Sequence, residues 1–91
     1  MTMTNNIVTC TTSAQLVAQA SVNPQFVTLH NMTKSNNNYI HYGSINAGTA
    51  NSPHIDPGET LQLQLLAGEA LFALSDPTGL PLGVLIQRYD G

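Results

Sequence analysis

The amino-acid sequence predicts an all-β protein: a small antiparallel β-sandwich or barrel of about six or seven short strands, with a flexible N-terminal arm. Three observations predict it. Apolar and polar residues alternate over short stretches, most regularly in Thr60 to Leu66, where Leu61, Leu63 and Leu65 share one face and Thr60, Gln62 and Gln64 the other. Turn signals recur about every 8–12 residues. No segment sustains a helical period, and neither an internal repeat nor a second domain is visible.

In order along the chain, residues 1–6 are polar and read as an arm or a frayed end. Ile7 to Thr11 is β-branched and suits a short edge strand. Ala14 to Ala20 carries helix-favouring Ala, Gln and Leu, but its shortness between strand-like neighbours favours a strand. Residues 1–24 are thus expected to be an arm and edge segment, and residues 25–91 the sandwich proper. Asn23-Pro24 breaks the chain, and Gln25 to Met32 follows as a strand. Val27, Leu29 and Asn31 point one way; Phe26, Thr28 and His30 point the other. Thr33 to Asn37 can reverse the chain, so Asn38 to Gly43 is expected to return beside Gln25–Met32 as a hairpin. Ser44 to Pro53 is a long polar loop of small residues with Ile45 as its one large apolar side chain. Asp56-Pro57-Gly58-Glu59 reads as a type II turn, with proline presetting φ and glycine supplying a positive one. Leu71 to Ser75 is apolar on both faces, which suits a central strand. Asp76 to Gly79 turns the chain, and Leu82 to Tyr89 closes the domain, with Leu82, Val84 and Ile86 on one face.

Composition narrows the function classes. A domain of 91 residues buries only about 60–65% of the surface its unfolded chain exposes, so it gains from disulfides, metals or oligomerisation. Cys10 is the only cysteine, which excludes an internal disulfide and fits a reducing compartment or assembly in one. Charged residues make up 8% of the chain, against about 25% in an average soluble domain. Weak self-repulsion of this kind suits a surface occupied by partners; an uncharged extracellular or viral β-domain without a special interface would share it. Lys34 and Arg88 cannot neutralise many phosphates, so nucleic acid is not an expected partner. No apolar run is long enough for a membrane span, and the start MTMTNNIVTCTTS has neither the basic region nor the apolar core of a secretory signal.

Side chains capable of chemistry are few. His30, His41 and His54 match no metal-ligand spacing, although His30 and His41 would be cross-strand neighbours in the expected hairpin. Ser52, His54 and Asp56 are triad residue types, but they share one loop and lack a nucleophile elbow, so a polar loop is the simpler reading. Cys10 has no cation beside it in sequence to activate it. Asp56 and Glu59 bracket the turn, where Asp56 is expected to bind nearby backbone N–H groups. Tyr39, Tyr42 and Tyr89 form a thin aromatic platform, better suited to cross-strand pairing than to stacking a sugar. No catalytic, cofactor-binding or metal-ligating residue is therefore assigned, and no enzyme activity is expected.

One pattern points further. Tyr39-Ile40-His41-Tyr42-Gly43, the loop through Ser52, and Pro57-Gly58-Glu59-Thr60-Leu61 occur in that order, preceded by Val27-Thr28-Leu29-His30-Asn31 and followed by Leu71-Phe72-Ala73-Leu74 and Val84-Leu85-Ile86. This layout, over about residues 25–88, resembles a group of small phage virion proteins with β-sandwich domains. The resemblance implies a capsid decoration (cement) protein or a comparable head or tail accessory subunit. It would bind the major capsid protein lattice on the virion surface, be assembled in the host cytoplasm, and act as a homo-oligomer, with a trimer one option. The alternative is a carbohydrate- or receptor-binding module of a head fibre or tail. The residues expected to meet a partner are Ile7 and Val8 in the N-terminal segment and Tyr39, Tyr42, Ile45, Asn46 and Asn51 in and beside the long loop.

Overall fold

The computed structural model describes residues 2–35, 37–48 and 51–88. Its strands are β1 (Thr2–Cys10), β2 (Gln15–Ala18), β3 (Gln25–Asn31), β4 (Ile40–Gly43), β5 (His54–Ile55), β6 (Thr60–Leu65), β7 (Leu71–Ser75) and β8 (Leu80–Arg88). They form two four-stranded sheets: sheet I in the order β1-β8-β3-β6, and sheet II in the order β2-β7-β4-β5. All pairings are antiparallel. The first strand pairs with the last, the second with the seventh, the third with the sixth and the fourth with the fifth. One long hairpin, rolled up so that successive pairs fall in alternate sheets, gives this order; it is the jelly-roll form of the β-sandwich.

Alternation along each strand fills the space between the sheets. Val27 and Leu29 of β3, Leu82 and Val84 of β8, Ile40 of β4, and Leu71 and Ala73 of β7 form the centre of the core. Full burial of a Leu, Ile or Val side chain contributes about 1.5–3 kcal/mol. Leu61 and Leu63 pack against this core and Leu65 is buried in it, as the period in β6 predicts. The central position expected for β7 also holds, because Leu74 is buried on the face opposite Ala73.

Several expectations are corrected. The described residues form eight strands rather than six or seven, because His54–Ile55 adds the short β5, and the edge strand expected from Ile7 begins at Thr2, so residues 2–6 are strand and not an arm. β1 pairs with β8 without interruption from Thr2↔Arg88 to Cys10↔Leu80. With β2 in sheet II, the segment before residue 24 supplies one strand to each sheet. The expected hairpin of Gln25–Met32 with Asn38–Gly43 does not form. β3 lies between β8 and β6 in sheet I, and β4 between β7 and β5 in sheet II. The chain therefore passes from sheet I to sheet II between β3 and β4 rather than reversing within one sheet.

Two buried polar side chains hold this crossing and the opposite end of the sandwich. Asn31 Nδ2 donates to the carbonyls of Asn38 and Ile55, both at 2.8 Å. Its Oδ1 accepts from the Thr33 N–H at 3.1 Å and hydroxyl at 2.7 Å. A single fully buried amide therefore ties β3 to β5 and to the segment that leads into β4. At the other end, Gln25 Nε2 donates to the Gln19 carbonyl at 2.8 Å. Its Oε1 accepts from Arg88 Nε and Nη2, each at 3.2 Å. Buried amides with every group satisfied fix geometry, because an unmade bond inside the protein costs far more than a made one gains.

Candidate functional site: sheet edges and an uncharged face

The long loop carries much of its own order. Ala47 N–H donates to the Ser44 carbonyl at 2.9 Å, closing a turn around Ile45 and Asn46. Gly48 N–H donates to Asn51 Oδ1 at 2.7 Å and to Ser52 Oγ at 3.1 Å. Asn51 is therefore spent inside the loop, where sequence had placed it against a partner. Asn46 is exposed, and its carbonyl accepts from Asn51 Nδ2 at 3.4 Å. Ile45 is 67% exposed, so this loop presents one apolar tip.

The aromatic candidates separate. Tyr42 shares the inner face of β4 with Ile40 and packs against the core. Tyr39 lies just before β4, with its ring 4.6 Å from that of His54. The two tyrosines thus do not form a common exposed platform, and Tyr89 lies outside the described residues. Val8 likewise turns inward opposite Leu82 and packs on the core.

The histidines also fall apart as a group. His30 is on sheet I, with Nδ1 2.9 Å from the Thr60 hydroxyl. His41 and His54 are the cross-strand pair instead, on β4 and β5, with ring centroids 5.6 Å apart. His41 Nδ1–H donates to the Ser52 carbonyl at 3.2 Å. His54 Nε2 lies 3.1 Å from Asp56 Oδ1, both groups about half exposed. The Ser52 hydroxyl donates to Asn51 Oδ1 at 3.0 Å, away from any role as a nucleophile beside His54. In the turn Glu59 Oε1 accepts a backbone N–H, that of Asp56, at 3.2 Å, a role expected of the Asp56 side chain. Gly58 has the positive φ, 79°, that the type II reading required. Cys10 is fully buried, and burial pushes its thiol from 9.0 up to about 11. Among the described residues no group of three or more His, Cys, Asp or Glu gathers to hold a metal, and no enclosed pocket forms.

What the fold does assemble is a surface. The outward residues of sheet I are those that alternate with its buried ones. Across the sheet, Met3, Gln87, Phe26 and Gln64 form one row, and Ile7, Gly83, His30 and Thr60 another. β1, β3 and β6 contain no Asp, Glu, Lys or Arg, and the one such residue of sheet I, Arg88, is engaged by Gln25. Met3 and Ile7 are each 59% exposed on this face. At the sheet's margins, β1 offers nine residues and β6 six, with neither proline nor register shift in either. Period-2 alternation in the sequence places Phe26 with His30, and Thr60 with Gln64, on single strand faces, and Ile7 is singled out there, but Met3 is missed, because residues 1–6 read as an arm. The signal available was the continuous β-compatible run from Thr2 to Cys10, which only acquires a face once its partner strand is known.

Fold and surface together define a small jelly-roll domain with one uncharged outer sheet face and two open margins. No family model matches the chain, and no curated protein does. Among solved structures, it is similar to a chain from Bacillus endospore appendages, described as a novel family of disulfide-linked pili. The identity is 14%, the match covers 98% of this chain and 90% of that one, and the TM-score is 0.48. That degree of likeness carries no implication for this chain's role.

Proposed function

We propose that the chain is a non-enzymatic structural protein that works by lateral association, as a capsid-decoration subunit bound to the major capsid protein lattice on a virion surface. The observation that supports the reading is the open margin of sheet I. A strand edge exposes a row of unpaired N–H and C=O groups, and proteins that stay monomeric blunt such edges with charge, proline, bulges or shortness. β1 has none of these over nine residues. Its outer face adds Met3 and Ile7, and the chain's low charge opposes close approach only weakly. The decoration role itself rests on the sequence resemblance over residues 25–88, and a jelly roll is one of the folds in which capsid proteins are built.

The test is location and consequence. Gradient-purified particles from cells expressing the chain should carry it on the outside in a fixed copy number, measured by mass spectrometry and surface protease digestion. Particles lacking it should lose integrity at lower temperature. If the protein never co-purifies with particles and its loss leaves their heat stability unchanged, the reading falls.

A further inference from the structure

We propose that β1 is a self-docking edge, which pairs antiparallel with β1 of a second copy about a two-fold axis through Asn5, so that the two copies of sheet I join into one continuous sheet. The inference deepens the reading above and rests on it for its biological setting, though not for its geometry.

The geometry starts from symmetry. Two identical strands pair antiparallel only about an axis perpendicular to their sheet, which sets outer face against outer face. Residues directly opposite must then share a face, so the register turns on which residue sits at the axis. With Asn5 there, Met3 faces Ile7 of the second copy, and by symmetry Ile7 faces the second copy's Met3. Both are large apolar side chains, each 59% exposed in the single chain. On the other face, Thr4 meets Asn6 of the second copy, and both are exposed because sheet II does not cover this end of β1. The exposed apolar pair thus meets itself and the exposed polar pair meets itself; only at the ends of the pairing does an apolar residue, the inward-turned Val8, lie opposite a polar one, Thr2. Moving the axis to Asn6 sets Met3 against Thr9 and Ile7 against Asn5, and moving it to Thr4 sets Met3 against Asn5. Both shifts oppose apolar to polar.

The pairing spans residues 2–8 and forms about six to eight backbone hydrogen bonds. No charged residue lies in β1 to repel its copy. The other open margin fits less well. β6 turns Leu61, Leu63 and Leu65 inward and presents Thr60, Gln62 and Gln64 outward, so the strand itself offers a docking partner no exposed apolar side chain, and Leu66 lies just past its end. Pairing of β1 with β6 of the next copy would also be head-to-tail and would leave a free margin at each end, whereas β1 with β1 closes. The interface is one strand wide and smaller than a permanent dimer needs, so the association is concentration-dependent.

The test is sedimentation equilibrium of the full chain over a wide concentration range, with three proteins. The wild type is expected to move from one copy to two as concentration rises. The double variant Met3→Lys with Ile7→Lys, which opposes like charges twice, is expected to raise the dimer dissociation constant about tenfold or more. The double variant Met3→Glu with Ile7→Lys, which opposes unlike charges twice in this register, is expected to restore dimerisation. Far-UV circular dichroism checks that both variants fold. Amide hydrogen exchange of the wild type needs no variant, and protection of alternate β1 amides should grow with concentration. A wild type monomeric at all concentrations overturns the proposal. So does a dimer indifferent to the lysine pair, or open-ended association beyond two copies, which would point to β1 on β6. A dimer without affinity for particles sinks the decoration reading and leaves this one; a monomer that binds particles does the reverse.

Discussion

β5, at the margin of sheet II, is two residues long and lies between Pro53 and the turn at Asp56–Glu59. β1, at the margin of sheet I, runs for nine residues with neither charge nor proline. β2, the other margin of sheet II, is four residues long and carries a register shift between Leu16 and Ala18. Sheet II therefore limits its edges by shortness and a register shift, and sheet I leaves its edges open. One small domain contains both solutions, so the openness of sheet I is not a general failure of edge protection. On the proposed reading, a partner strand would extend sheet I, where nine residues of β1 lie open, and would gain little on sheet II, where the margins are two and four residues long.

The comparison breaks most severely at Asn31, which holds β5 in place through the Ile55 carbonyl. Asn31→Ala removes its hydrogen bonds with Asn38, Ile55 and Thr33 and leaves buried groups unpaired, with an expected loss of about 2–4 kcal/mol measured by urea denaturation. The anchored end of β1 is tested next. Burial keeps the Cys10 thiol protonated well above its ordinary range. Native protein should react with a thiol reagent at pH 8 at least about 100-fold more slowly than unfolded protein. Because the folded value is raised from 9.0 to about 11, its stabilising contribution is complete below pH 9 and is lost as pH rises through 11. Alkaline denaturation should therefore ease by about 2 kcal/mol across that window, and a Cys10→Ala variant should lack the effect.

The turn that guards β5 comes third. Gly58 has φ 79° and open space where a Cβ would sit, so Gly58→Ala is strained by its backbone alone and should cost about 1–2 kcal/mol. Smallest is the open edge itself. Ile7→Lys should leave monomer stability within about 0.5 kcal/mol, since Ile7 projects away from the core. A loss of 2 kcal/mol or more, by thermal melting at low concentration, would mean that β1 is core and not margin.

Much of the sandwich is legible in the residues. The alternation in Thr60–Leu65 predicts which leucines turn inward, and the alternation in Gln25–Asn31 puts Asn31 on the buried side. An asparagine in a core register is a visible sign of a polar tie. Its partners are not visible, because Asn38 and Ile55 reach it only through the crossing between sheets. Asp56–Glu59 is legible as a turn because Pro57 and Gly58 dictate backbone angles locally. The long loop misleads for the converse reason: its asparagine and serine suggest free polar surface, but the Gly48 N–H bonds both Asn51 and Ser52 within it.

The class, the strand faces and the Asp56–Glu59 turn follow from local residues, since period-2 alternation and turn residues act within a few positions of one another. Strand pairing depends on the assembled fold. β3 and β4 each have one face to bury, and they can bury it side by side in one sheet or face to face in two. The local pattern is the same either way, so adjacency in the chain suggested a hairpin. The rolled arrangement separates the two strands, brings Thr2 beside Arg88, and turns residues that read as a loose arm into the open margin of a sheet.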